Sequence, residues 1–343
     1  MLRACFAIPG DLQSPTGGYE YARRLLRLIP GLAHLALPAG FPDPSEAELT
    51  ETARLLAAVP QDAVLLVDGL AFGALPTRSL AFVKAPIVAL VHHPLCLEAG
   101  LSPRRAARLH AGESAALALA QRVIATSNVT ARWLASEFAI SPGRLSVAEP
   151  GTTRHPQARG SEHGTTRLLA VGAVTPRKGY DVLVEALAGL HQHDWHLTIA
   201  GDLSRDTACV SALRTAIAAH RLTDRITLTG AVADPELDAL YAAADLFVSA
   251  SRHEGYGMAV ASAMAHGLPL VATTAGALAE TIPPGASIAC PAGDVDALRQ
   301  AITAMLANTS LRRSCAETSW RAGQDLPDWR YTAEIVATVL ASV

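Results

Sequence analysis

Three strand-to-helix turns in this 343-residue chain carry residue types that handle an anion. Arg177 and Lys178 stand side by side after the apolar run 167–172, followed by Gly179 and an amphipathic helical pattern. Two adjacent cations at such a turn can neutralise a diphosphate, the guanidinium through paired hydrogen bonds and the ammonium as a point charge. Thr16, Gly17 and Gly18 open a helix whose apolar face is Ala22, Leu25, Leu26 and Ile29. Glycines there let a ligand approach the bare amides of a helix N-terminus. Glu254 precedes Gly255-Tyr256-Gly257 and a run of small apolar residues, beginning Met258-Ala259, that reads as helix. Such an N-terminus carries about half a positive charge and favours an anion by roughly 0.3–1 kcal/mol, so the amides of Gly255 to Ala259 suit phosphate or hydroxyl oxygens. Glu254 is itself anionic and suits hydroxyl donors instead. Each feature also has an ordinary reading, as a solvated charge pair, a glycine-rich loop or a capping carboxylate.

The elements that position these turns follow from hydrophobic pattern. Apolar, β-branched runs bounded by turn residues recur at 4–8, 63–67, 86–91, 122–127 and 145–149, then at 167–172, 195–201, 225–230, 246–251, 268–274 and 286–291. They alternate with Ala/Leu/Arg-rich helical stretches, which predicts parallel sheets covered on both faces. The stretch 152–166 is polar and lacks hydrophobic period, as a linker does. The expected layout is an N-terminal Rossmann-like domain over 1–155, a linker over 156–166, and a second Rossmann-like domain over 167–325. A last helix over 326–343, set off by Pro327, is free to pack back on the first domain. Two doubly wound α/β domains of this kind are expected to face a deep cleft at the carboxyl ends of their strands.

Composition excludes several classes. Net charge is −3, which argues against a protein built to grip nucleic acid. Five scattered cysteines without a CxxC pair read as buried thiols of a cytoplasmic protein, not as disulfides or zinc ligands. No apolar run reaches transmembrane length, the longest being broken by Asp68. No GxGxxG follows the first strand, so a dinucleotide dehydrogenase loses its main support. Asp294 and Asp296 form a DxD, yet they precede a helical pattern and read as a cap and a first-turn acid. The three histidines of 191–196 read as a solvated loop, and no metal ligands are assigned. Arg23, Arg24, Arg27 and the arginines of 102–113 read first as a solvated face and second as a contact with a phosphorylated acceptor or, peripherally, with anionic lipid at the inner membrane face.

In order along the chain, "TGGYEYARRL", "LVHHP", "VIATSNVTARWL", "VGAVTPRKGYDVLVEAL", "IAGD" and the long block 226–282 resemble glycosyltransferase family 4 over nearly the whole sequence. The resemblance implies the GT-B fold and a retaining, metal-independent glycosyltransferase. It would use a UDP- or GDP-linked sugar as donor substrate, with no cofactor and an unknown acceptor. By resemblance Gly17 and Gly18 meet the diphosphate, His92 lies near the donor sugar, and Lys178, with Arg177, binds phosphate. Glu254 is the first Glu of the family's Glu-x7-Glu motif, and Gly255 to Ala259, including Tyr256, Gly257 and Met258, form the loop beneath it. Two positions depart from the family pattern. Ser262 replaces the second Glu, which contacts the ribose, and Ala173 replaces an Arg after the glycine. Serine in place of a carboxylate weakens a ribose contact by roughly 1–2 kcal/mol. The alternatives are therefore a catalytically weakened nucleotide- or glycan-binding homologue and a GT-B nucleotide-sugar epimerase.

Overall fold

The structure is a computed structural model, and it describes residues 2–161 and 164–343. Glu162 and His163, in the stretch read as a linker, lie outside the described residues. The chain forms two compact units, Met1–Gly151 with Pro327–Val343, and Thr152–Leu326.

The first unit holds a six-stranded sheet of β1 (Ala4–Pro9), β2 (Leu32–Leu37), β3 (Val64–Asp68), β4 (Ile87–Val91), β5 (Arg122–Ala125) and β6 (Leu145–Val147). The order is β2-β1-β3-β4-β5-β6 and every pairing is parallel. Strands β3 and β4 are buried at every residue, as strands covered on both faces must be. The second unit repeats the plan with β7 (Thr166–Val171), β8 (Trp195–Ala200), β9 (Ile226–Gly230), β10 (Leu246–Ser249), β11 (Leu270–Thr273) and β12 (Ser287–Cys290), in the order β12-β11-β10-β7-β8-β9. Its pairings are also parallel. All eleven apolar runs coincide with strands.

The twelfth strand, β2, has no counterpart among those runs. It lies at a sheet edge and exposes three of its middle residues to different degrees, so its sequence, Leu-Ala-His-Leu-Ala-Leu, carries little β signal. The polar stretch after Gly151 is also more fixed than its composition suggests. Arg154 donates to the carbonyls of Gly323 and Leu326, Ala158 N–H to His266 O, and Ser161 N–H to Asp245 Oδ1. Backbone bonding thus holds a segment that offers no hydrophobic period.

The helix Trp329–Leu340 belongs to the first unit. Its Trp329 packs edge-on against Tyr21 at 5.6 Å, with the Arg24 guanidinium 5.7 Å from the ring centre. Thr332 Oγ1 donates to the Glu149 carbonyl at 2.7 Å. Among the described residues no helix is long and apolar enough to cross a membrane.

Candidate active site

Parallel pairing of β7 with β10 brings two distant turns to one edge of the second sheet. After β7 the chain bends at Gly172, whose φ is +144°, and the Lys178 side chain lies across it. A Cβ at Gly172 would stand 2.5 Å from Lys178 Cε. The 3₁₀ turn Pro176–Lys178 ends at Gly179, with φ +65°. There a Cβ would collide with the Ala250 carbonyl oxygen, so only glycine allows this turn to lie against the end of β10. Arg252 holds the turn from outside, pairing with Asp181 at 2.6 Å while its own N–H donates to the Arg177 carbonyl.

Glu254, 8% exposed, sits at the centre. Lys178 Nζ donates to its Oε1 at 2.7 Å, Arg177 Nη1 to its Oε2 at 3.0 Å, and Ser251 Oγ to Oε1 at 2.8 Å. Burial acts to raise the Glu254 carboxyl, but the Lys178 and Arg177 charges and the hydrogen bonds outweigh it and hold the group far below the usual carboxylate range. The cluster is therefore two cations on one carboxylate, a net charge of +1. Ser251 is a member that the sequence did not single out. Its carbonyl accepts a 2.6 Å bond from buried Thr273, which fixes the loop that presents Glu254. A small cavity borders the cluster, lined by Lys178, Tyr180, Ser249, Ser251, Glu254 and Val260 among others.

Behind Glu254 the glycine turn leads into the helix Met258–Ala265. Gly257 has φ +103°, and a Cβ there would meet Leu278 Cδ2 at 2.5 Å. The helix N-terminus has no side-chain cap. Tyr256 turns inward and is 6% exposed, so only its backbone remains for a ligand. Gly255, Met258 and Ala259 are half-buried. Ser262 is half-buried too, close to Tyr241, whose hydroxyl donates to the Ala259 carbonyl at 3.1 Å and whose phenol burial pushes far up. The Ser262 carbonyl accepts from His266 Nδ1 at 2.8 Å. Arg177, Lys178 and Glu254 are thus brought together, while Ser262 lies on the helix behind them.

In the first unit a second cluster forms at the ends of β1, β3 and β4. Thr16 caps the helix Gly17–Leu28, accepting from Tyr19 N–H. Gly17 is exposed. A Cβ at Gly18 would lie 3.6 Å from His92 Cδ2 and Nε2, so the imidazole stands over the first turn of the helix. Tyr21 packs edge-on against the same ring at 5.3 Å. Asp68, which the sequence offered only as a break in an apolar run, is 6% exposed and places Oδ2 3.4 Å from His92 Nε2. His93 takes a different partner, with Nε2 3.1 Å from Glu98. Another residue without a sequence signal is Glu113. It is 1% exposed and accepts from Leu95 N–H at 2.9 Å, and burial pushes its carboxyl up to about 8 against the opposing pull of that bond.

Other candidates resolve into structural roles. Asp294 caps the helix Val295–Ala307 and Asp296 pairs with Arg299. Arg23 and Arg24 both bond Glu20. Within 191–196, Trp195 is buried beneath Arg225 and His196 bonds Thr227. His155, Asp238 and His266 gather their ligand atoms within 4.8 Å. The two imidazoles are stacked, 4.1 Å apart at 17°, so their in-plane lone pairs run side by side instead of converging on one ion.

Residues 165–308 match the family described as glycosyl transferases group 1. That match lies within the second unit and leaves the first unit outside it. It is 34% identical to D-inositol 3-phosphate glycosyltransferase of Pseudarthrobacter chlorophenolicus over 202 residues, 55% of this chain and 47% of that protein. It is 28% identical to the MMP alpha-(1->4)-mannosyltransferase of Mycolicibacterium hassiacum over 313 residues, 86% and 74% of the two. The first of these matches thus spans about half of the relative's own length. Among solved structures, HepE of Anabaena in complex with UDP-glucose aligns with a TM-score of 0.78 at 17% identity, covering 100% of both chains. That likeness establishes the GT-B fold.

Proposed function

We propose that the protein is a retaining, metal-independent transferase of the family 4 type, moving a sugar from a nucleoside-diphosphate sugar to an acceptor hydroxyl. The observation that carries this reading is the Arg177–Lys178–Glu254 cluster beside an uncapped helix N-terminus. Support for a nucleotide-sugar donor comes from the names of similar proteins, among them a glycosyltransferase and a UDP-glucose complex.

In this reading the bond between the anomeric carbon and phosphate breaks heterolytically and its electron pair goes to the diphosphate. Arg177 and Lys178 bind the oxygens on which that charge grows; they are already in place, so little reorganisation opposes the reaction. Glu254, ionised at any working pH, accepts hydrogen bonds from sugar hydroxyls and orients the ring. The amides of Gly255 to Ala259 bind remaining anionic or hydroxyl oxygens. In the first unit Gly17, Gly18 and His92 supply backbone donors and an imidazole to substrate. A phosphate oxygen of the leaving group takes the proton of the acceptor hydroxyl, which attacks from the same face.

The test is a screen of UDP- and GDP-sugars by calorimetry, followed by mass spectrometry of products with mixed acceptors, with and without EDTA. Transfer that survives EDTA and vanishes in Lys178→Ala and Glu254→Ala is expected. A second reading, a binding homologue without turnover, is favoured by Ser262, a hydroxyl where the family pattern has a carboxylate. Tight nucleotide binding with no transfer or hydrolysis would select it.

A further inference from the structure

We propose that Asp68 is the positioning residue of His92: its carboxylate keeps the imidazole proton on Nε2, so that Nδ1 meets substrate as a hydrogen-bond acceptor. The part that concerns substrate rests on the function proposed above. The part that concerns the proton does not.

Asp68 ends β3 in register with Leu90 of β4, and His92 follows two residues later, so neighbouring parallel strands deliver both side chains to one edge of the sheet. Asp68 Oδ1 is occupied by the Leu70 N–H at 2.9 Å. Its Oδ2 is left to face His92 Nε2 at 3.4 Å. That nitrogen is enclosed by protein and has no aligned hydrogen bond, so its only choice is what it turns toward the carboxylate. A lone pair there would set two electron-rich atoms against each other in a poorly solvated place. An N–H reverses the sign of the contact.

A neutral imidazole carries one N–H, so holding it on Nε2 leaves Nδ1 bare. A quarter of the His92 side chain is exposed although Nε2 is enclosed, so the open part of the ring lies away from Asp68. The ring cannot easily turn over. Tyr21 stands edge-on to it at 82°, the first turn of the helix Gly17–Leu28 lies beneath its Cδ2–Nε2 edge, and Thr126 Oγ1 donates to the His92 carbonyl at 3.1 Å. A bare nitrogen accepts from a hydroxyl and is repelled by an ionised phosphate oxygen. Such a nitrogen therefore suits a sugar hydroxyl of the proposed donor better than its phosphate chain.

The experiment is long-range proton–nitrogen NMR on the full chain labelled with ¹⁵N-histidine, recorded in the alkaline plateau where the rings are neutral. The His92 signals are identified by their loss in His92→Gln. The Nε2–H tautomer is expected in the wild type. Asp68→Asn keeps the shape of the side chain and the Leu70 cap, and it should shift the population toward Nδ1–H, as the amide can now donate to Nε2. An Nδ1–H wild type, or a tautomer unchanged in Asp68→Asn, overturns the proposal. If Asp68→Asn does not fold, the wild-type spectrum decides alone. Where transfer is measurable, Asp68→Asn should lower kcat at least about tenfold and leave donor KM within about twofold, because the proton placement and not the grip is lost. A wild type inactive toward every nucleotide sugar would remove the proposed function and leave the tautomer result standing. An active enzyme with the wrong tautomer would do the reverse.

Discussion

Replacing Glu254 by Gln should make the second unit bind a nucleoside diphosphate more tightly while it loses sugar transfer. In the resting protein Lys178 and Arg177 spend part of their field on this carboxylate, at 2.7 and 3.0 Å. Taking away one negative charge raises the cluster from +1 to +2. For a phosphate roughly 7 Å from the removed charge, with an effective dielectric of about 20–40, the lost repulsion is about 1–2 kcal/mol. That is about a tenfold fall in Kd for UDP or GDP, shrinking as salt is added. In the proposed mechanism transfer should slow about ten- to a hundredfold, because Glu254, taken there as the charged acceptor of sugar hydroxyls, becomes a neutral one. Folding should suffer as well. Two partly buried cations lose their counter-ion but keep hydrogen bonds to the amide oxygen, a cost of about 2 kcal/mol, or about 4–8 °C in the Tm of a unit this size. Saturating diphosphate should restore much of it. The difference from wild type also depends on pH with a definite sign. Glu254 is depressed in the folded state, so its contribution is complete above the unfolded carboxylate value near 4.5 and is lost as pH falls below that. The Tm gap between the two proteins should therefore narrow in acid. Calorimetric titration with UDP and GDP, and melting curves over pH, measure all of this. A well-folded Glu254→Gln protein that binds diphosphate no better than wild type would show that the cations are structural.

Two further outcomes follow from the geometry. Glu113 has a raised folded-state value, so the wild type should lose stability as pH rises from about 4.5 through about 8. Glu113→Gln, which cannot ionise, should flatten that decline, and thermal melts over the range would read a persistent slope as a failure of the assignment. Gly179→Ala forces a side chain into a left-handed turn and against the Ala250 carbonyl. It should cost more than about 1–2 kcal/mol and weaken donor binding through a displaced Lys178, and a variant that melts and binds like wild type would contradict this account of the turn.

The sequence alone determined most of the framework. Eleven of the strands are legible because a strand covered on both faces must be apolar throughout, and a local property of the chain records that. The edge strand β2 escaped because partial exposure removes the requirement. Residue type and glycines at the mouths of helices also marked Arg177, Lys178 and Glu254 as candidates, and the structure brings the three together. What the chain by itself could not decide was who faces whom. Glu254 lies 76 residues from Lys178, and the two meet only because β10 pairs with β7. Asp68 meets His92 only because β3 lies beside β4, and without that pairing it is one acid in an apolar run. Whether a cation stands open or is held by a carboxylate, and which nitrogen of a histidine carries its proton, are properties of pairs, and parallel strand order made those pairs.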